Sequence, residues 1–121
     1  GLPAHSYHQD DQVQTIQAWI HEHYKESTSL GQLAEMVHLS PRQLQRRFTT
    51  TLGEPPLQYL QRVRIEAARK MLERGTNNLA RLSEQVGYQD VSSFSRLFKR
   101  HTGLSPSHYR QRFARTGTLT D

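Results

Sequence analysis

Cysteine is absent from the 121 residues. That excludes a disulfide framework and a thiolate metal site, and makes the cytoplasm the expected compartment. Long apolar runs are absent too. None approaches the roughly 18 residues that cross a bilayer, so no membrane span is expected. No stretch alternates apolar and polar residues with β-branched enrichment, which argues against strands. There is no Gly-x-Ser-x-Gly, no phosphate-binding glycine loop and no dinucleotide fingerprint, and the carboxylates are scattered, so neither an enzyme nor a cofactor is expected. Histidine is present, but His21 and His23 stand two apart, on different faces of a helix, not four apart as in a helical zinc pair. With His5 and His8 they read as surface histidines, and no metal is expected.

What is there is positive charge, unevenly placed. The chain carries 16 basic and 11 acidic groups for a net +5. Residues 1–40 hold one basic group (Lys25) and five acidic ones, a net −4. Residues 41–121 therefore carry a net +9. A segment so charged must meet a polyanion or tolerate its own repulsion, and nucleic acid is the leading partner. A membrane surface fits less well, because the basic residues are spread over several short helices.

The apolar residues recur at helical spacing throughout, and the chain reads as all-α with seven helices. Residues 1–9 read as a linker or cloning remnant. Asp10 or Asp11 caps a first helix with Val13, Ile16, Ile20, Tyr24 and Trp19 as its buried stripe. Ser29 with Gln32 makes a capping-box pattern for a second, which buries Leu30, Leu33, Ala34 and Val37. Ser40-Pro41-Arg42-Gln43 starts a third, with Leu44 and Phe48 inward and an end near Gly53. Pro56 to Gly75 is a long fourth helix, proline at its first position and glycine past its end. Its apolar face holds Leu57, Leu60, Val63, Ile65, Ala67, Ala68, Met71 and Leu72, and its polar remainder is crowded with arginine. Asn78, Asp90 and Ser105 cap three more, anchored by Leu79, Leu82 and Val86, then Phe94, Leu97 and Phe98, then Tyr109 and Phe113. Residues 116–121 read as a disordered tail.

The chain also repeats itself. Leu30, Leu33 and Val37 match Leu79, Leu82 and Val86 at an offset of 49. One residue later in register, Leu44, Arg46, Phe48, Gly53, Pro56, Tyr59 and Arg62 match Phe94, Arg96, Phe98, Gly103, Pro106, Tyr109 and Arg112 at an offset of 50. Each repeat is a short helix, a tight turn and a second capped helix, which is a helix-turn-helix. The expected layout is a first helix-turn-helix subdomain at residues 10–54, a linker helix at 55–75 and a second subdomain at 76–115.

In a helix-turn-helix the second helix enters the major groove. In the first unit Arg42, Gln43, Gln45, Arg46 and Thr49 point away from Leu44 and Phe48. Arginine pairs bidentately with guanine and glutamine with adenine, each at about 1–3 kcal/mol of discrimination. In the second unit Val91, Ser92, Ser93, Ser95 and Arg96 take the corresponding places, a shorter and less charged set in which Arg96 is the main direct reader. Ser40, Arg47, Lys99 and Arg100 are the expected phosphate contacts, with backbone amides at the starts of the helices capped by Ser29 and Asn78.

These residues carry a resemblance. Val86-Gly87-Tyr88-Gln89-Asp90, Phe94 through Arg100 and Gly103 through Arg110 resemble the signature of the AraC/XylS family of bacterial transcription regulators. Arg64-Ile65 with Ala68 and Met71-Leu72, and Leu33-Ala34 through Ser40-Pro41-Arg42-Gln43-Leu44 to Arg46-Arg47-Phe48, are similar to its linker helix and first unit. The resemblance covers about residues 11–114. It implies two recognition helices in successive major grooves on one face of double-stranded DNA, transcription regulation by activation more than repression, contact with RNA polymerase, and a separate effector-binding or dimerising domain. His8-Gln9-Asp10 with Gln17 and Trp19 resembles the junction after an amidotransferase-like N-terminal domain in some members. Two positions depart from the family pattern. His38 stands in a turn that often has glycine, where positive φ would strain it. Ser83 replaces the usual alanine, and its hydroxyl needs a backbone partner.

The linker helix reads as a ruler. About 19 residues at about 1.5 Å each approach the roughly 34 Å of one DNA turn, and repeats related by translation imply an asymmetric site. The other reading is a helical protein-interaction module without specific DNA binding, which explains the fold but not the charge split.

Overall fold

A computed structural model describes residues 10–115. The linker expected at 1–9 and the tail expected at 116–121 lie outside the described residues, as do His5 and His8. The described residues form seven helices and no strand. They are α1 (Asp11–His23), α2 (Leu30–Met36), α3 (Pro41–Leu52), α4 (Pro56–Glu73), α5 (Leu79–Gln85), α6 (Val91–Thr102) and α7 (Pro106–Phe113). The chain divides into two compact units, with the boundary between Gln61 and Arg62 inside α4.

In the first unit α1, α2 and α3 each begin where the sequence supplies an acceptor for free amides. Asp10 Oδ1 accepts from Val13 N at 3.1 Å, so Asp10 rather than Asp11 is the cap. Ser29 with Gln32 and Ser40 with Gln43 form complete capping boxes, and Pro41 fills the first position of α3. Each such cap contributes about 1 kcal/mol. The core is Val13, Ile16 and Ile20 of α1, Leu33 and Ala34 of α2, and Leu44 and Phe48 of α3, all essentially inaccessible. Trp19 and Tyr24 lie at the edge of the α1 stripe and are only half-buried. Trp19 stacks on His23 at 4.8 Å instead. Tyr59 meets Phe48 edge-on at 5.5 Å, and its hydroxyl accepts from Gln17 Nε2 at 2.9 Å.

The second unit repeats this plan. Asn78, Asp90 and Ser105 cap α5, α6 and α7. Leu82, Val86, Phe94 and Phe98 are inaccessible, backed by Ile65, Ala68 and Leu72 of α4. Tyr109 meets Phe98 edge-on at 5.4 Å, as Tyr59 meets Phe48. Its hydroxyl donates to Glu73 Oε2 at 2.5 Å and accepts from Arg69 Nη1 at 3.2 Å. Arg69 also pairs with Glu66, and this pair followed by Tyr109 holds the guanidinium well above its ordinary pKa. Two anchors expected to point inward do not. Leu57, on the first turn of α4, is 39% exposed and Phe113, the last residue of α7, is 46% exposed. Both sit in the first or last turn of a helix, and the spacing that marks an apolar face does not say whether another segment covers that end.

The two tight turns share one hydrogen-bond scheme. Leu39 N donates to Ala34 O at 3.0 Å and His38 N to Glu35 O at 3.2 Å. Tyr88 N donates to Ser83 O at 2.8 Å and Gly87 N to Glu84 O at 3.1 Å. This closure needs a left-handed residue after the helix, and glycine adopts it without strain. Gly87 has φ +103°, whereas the first turn puts His38 at φ +59°, the one non-glycine residue with positive φ among those described. Ser83 is buried and its hydroxyl donates to Ala80 O at 2.9 Å, which supplies the backbone partner that the serine required.

His38→Gly is expected to raise stability by about 0.5–1 kcal/mol in urea denaturation, since relief of left-handed strain outweighs the added freedom of the unfolded chain. Gly87→Ala is expected to lower it by about 1–2 kcal/mol. If both substitutions shift the midpoint the same way, strain at this turn position does not differ between histidine and glycine.

Candidate nucleic-acid interface

The rotation of α3 and of α6 about its own axis is fixed by an apolar pair four residues apart. Leu44 and Phe48 pin α3, Phe94 and Phe98 pin α6, and all four are inaccessible. The opposite face of α3 then presents Arg42, Gln43, Gln45, Arg46 and Thr49, every one exposed. Leu30, Pro41 and Thr50 complete a shallow groove beside Arg42, Gln45, Arg46 and Thr49. Leu30, a core position by its spacing, is only half-buried. On α6 Ser92 and Arg96 are exposed, while Val91, Ser93 and Ser95 are half-buried. Lys99 and Arg100 are exposed in the last turns of α6, and Ser40 is exposed at the start of α3.

Several of these side chains already have partners. Gln43 Oε1 accepts from Ser40 N at 2.9 Å, and its amide hydrogens remain for an outside acceptor. A bidentate pair with adenine needs the oxygen as well, which must then share its second lone pair or release the capping bond. Arg47 is turned away from the exposed face. Its Nε and Nη2 donate to Asp10 Oδ2 and Oδ1 at 3.0 and 2.9 Å, tying α3 to the cap of α1. At the matching place in the second repeat stands Leu97, half-buried and uncharged. Burial alone would raise the Asp10 carboxyl, but the Arg47 bonds and the Val13 amide outweigh it and hold the carboxyl below its ordinary value. On α6, Ser93 is held by Asp90 and lies 3.4 Å from Arg96 Nη2. The amide and hydroxyl of Ser93 lower the Asp90 carboxyl in turn.

Two arginines of α4 are bound within the second unit. Arg64 lies over the Tyr88 ring at 5.1 Å, and Arg69 is held by Glu66, Glu73 and Tyr109. One exposed basic residue lies beside a helix start that spacing alone does not single out. Arg81 is exposed on α5 and lines a polar groove with Asn78, Gln85 and Gln89, next to the amides at the start of that helix. Helical periodicity marks a polar face but does not say which of its cations stands beside a helix start, so Arg81 carried no signal. Among the described residues no helix is long and apolar enough to cross a membrane.

Comparison with known proteins matches residues 33–112 to a helix-turn-helix domain family. A putative AraC-like transcription regulator of Streptomyces lividans is 37% identical over 102 residues, which cover 84% of this chain and 34% of that protein. The C-terminal domain of AraT, a response regulator from Geobacillus stearothermophilus, superposes with a TM-score of 0.84 at 28% identity over 88% of each chain. The DNA-binding domain of AdpA, solved in complex with a target DNA, gives 0.80 at 28% identity over 84% of this chain and 92% of that one. The chain spans about a third of the length of the curated relatives it matches, from 32 to 39% for the first of them.

Asp10 keeps its stabilising bonds only while ionised. Its folded pKa is depressed, so the contribution is present above the ordinary aspartate range near ~4 and is lost as pH falls through the lower folded value. Arg47→Ala is expected to cost about 1 kcal/mol near neutral pH, the half-exposed pair being partly screened. The same substitution should flatten the loss of stability between about pH 5 and 3. Urea midpoints measured across that range check both, and an unchanged acid slope in Arg47→Ala would remove the pair as the cause.

Proposed function

The chain belongs to the AraC/XylS family of helix-turn-helix DNA-binding domains, and from that membership we propose that it binds double-stranded DNA sequence-specifically and regulates transcription. α3 and α6 each enter a major groove. One observation carries the reading: Arg46 and Arg96 occupy the same position in two repeats, both exposed, each on the face opposite an inaccessible apolar pair, Leu44 with Phe48 and Phe94 with Phe98. A surface arginine occurring once is unremarkable, but the same one placed twice by the same packing is not expected of a merely solvated face.

Within this reading Arg42, Gln45, Arg46 and Thr49 read bases on α3, with Gln43 beside them partly engaged in its capping box. Arg96 reads on α6, with Val91, Ser92 and Ser95 in close contact. Ser40, Lys99 and Arg100 meet phosphates, joined by Arg81, and Arg47 serves chiefly to hold Asp10. The side chains around the shared arginine differ between α3 and α6, so the site is an asymmetric pair and not a palindrome. The chain acts in the bacterial cytoplasm as the DNA-binding part of a longer effector-responsive regulator, activating more than repressing through contact with RNA polymerase. It has no catalytic role.

Three cations on phosphates predict a log–log dependence of affinity on salt with a slope of about −3 or steeper. A flat dependence would leave a protein-interaction module as the better description. Selection from a random DNA pool should return two short unlike blocks. Arg46→Ala and Arg96→Ala should each relax one block by about 1–3 kcal/mol of discrimination, whereas Lys99→Ala should weaken all sequences alike. Uniform loss of affinity in both arginine variants would overturn the assignment of readers.

A further inference from the structure

We infer that Ser93 and Asp90 are positioning residues that act on DNA through Arg96, so that the second unit carries a pre-set reader and the first a free one. Ser93 read from sequence as a base contact. Its geometry says otherwise. Its amide donates to Asp90 Oδ1 at 2.7 Å and its hydroxyl donates to Asp90 Oδ2 at 3.0 Å. A serine hydroxyl has one proton. With that proton given to Asp90, the oxygen lone pairs are left to accept, and Arg96 Nη2 donates to them at 3.4 Å. The result is a chain from carboxylate to hydroxyl to guanidinium along one face of the first turns of α6, which begins at Val91.

The first repeat lacks this device at the matching places. Gln43 stands where Ser93 does, and its oxygen is turned back onto Ser40 N. Arg46 is exposed, and among the described residues no hydrogen bond or ion pair holds it. A long side chain that is already oriented loses less freedom when it docks, so its correct base pair is favoured more sharply.

The inference rests on Arg96 reading a base, and the experiment separates the two. Binding is measured on a panel of duplexes varied at each base pair of the selected site. Arg96→Ala first identifies the base pair that loses discrimination; if none does, the base-reading assignment itself fails. At that base pair Ser93→Ala is expected to reduce discrimination by about three- to tenfold. Ser93→Thr, which keeps the hydroxyl, should retain it. Asp90→Asn keeps a good helix cap and should hold the melting temperature, yet reduce discrimination by removing the acceptor for the serine proton. In the Arg96→Ala background, Ser93→Ala should change nothing further. An effect of Ser93→Ala that persists without Arg96, that falls on a different base pair, or that lowers affinity for every duplex equally overturns the inference.

Discussion

A helix can present a fixed set of side chains to a groove only if it cannot turn about its own axis. In both units that rotation is set by one inaccessible pair spaced four apart, Leu44 with Phe48 and Phe94 with Phe98. A tyrosine closes each pair from the next helix, Tyr59 against Phe48 and Tyr109 against Phe98, edge-on at 5.5 and 5.4 Å. Burial of one phenylalanine stabilises by about 1.5–3 kcal/mol, so turning the helix to expose it would cost more than one ordinary neutral hydrogen bond returns. The exposed faces of α3 and α6 follow from that packing.

Where the repeats diverge, they diverge around this shared frame. The left-handed turn position is histidine in one unit and glycine in the other, at φ +59° and +103°. The residue after the exposed arginine, Arg46 or Arg96, is Arg47 in one and Leu97 in the other. Arg47 is drawn to Asp10, which exists only because the first unit has α1 in front of its helix-turn-helix. In the second unit, polar closure is made behind Tyr109 by Arg69, Glu66 and Glu73. The same fold of the backbone is thus braced by different charges in its two copies.

Much of this was legible in the residues. The all-α class, the helix starts at Ser29, Ser40, Asn78, Asp90 and Ser105, and the left-handed strain at His38 each rest on local chemistry over three or four residues. Local chemistry could not say that Leu57 and Phe113 would be exposed, since spacing marks a face but not whether a neighbour covers its end. Nor could it distinguish a solvated arginine from a bound one. Arg42 and Arg47 lie five apart on one helix, yet one is exposed and the other is bonded to a carboxylate 37 residues away.

The sequence by itself determined the elements, their caps, the repeat and the family, because hydrophobic period and capping are properties of short stretches. Tertiary structure decided the side-chain bonds that join distant parts of each unit. It tied Arg47 to Asp10 and Arg69 to Tyr109, and set Arg64 over Tyr88. These bonds form only once packing has brought distant segments within about 3 Å for a hydrogen bond and within about 6 Å for a cation over a ring, and no spacing along the chain encodes them.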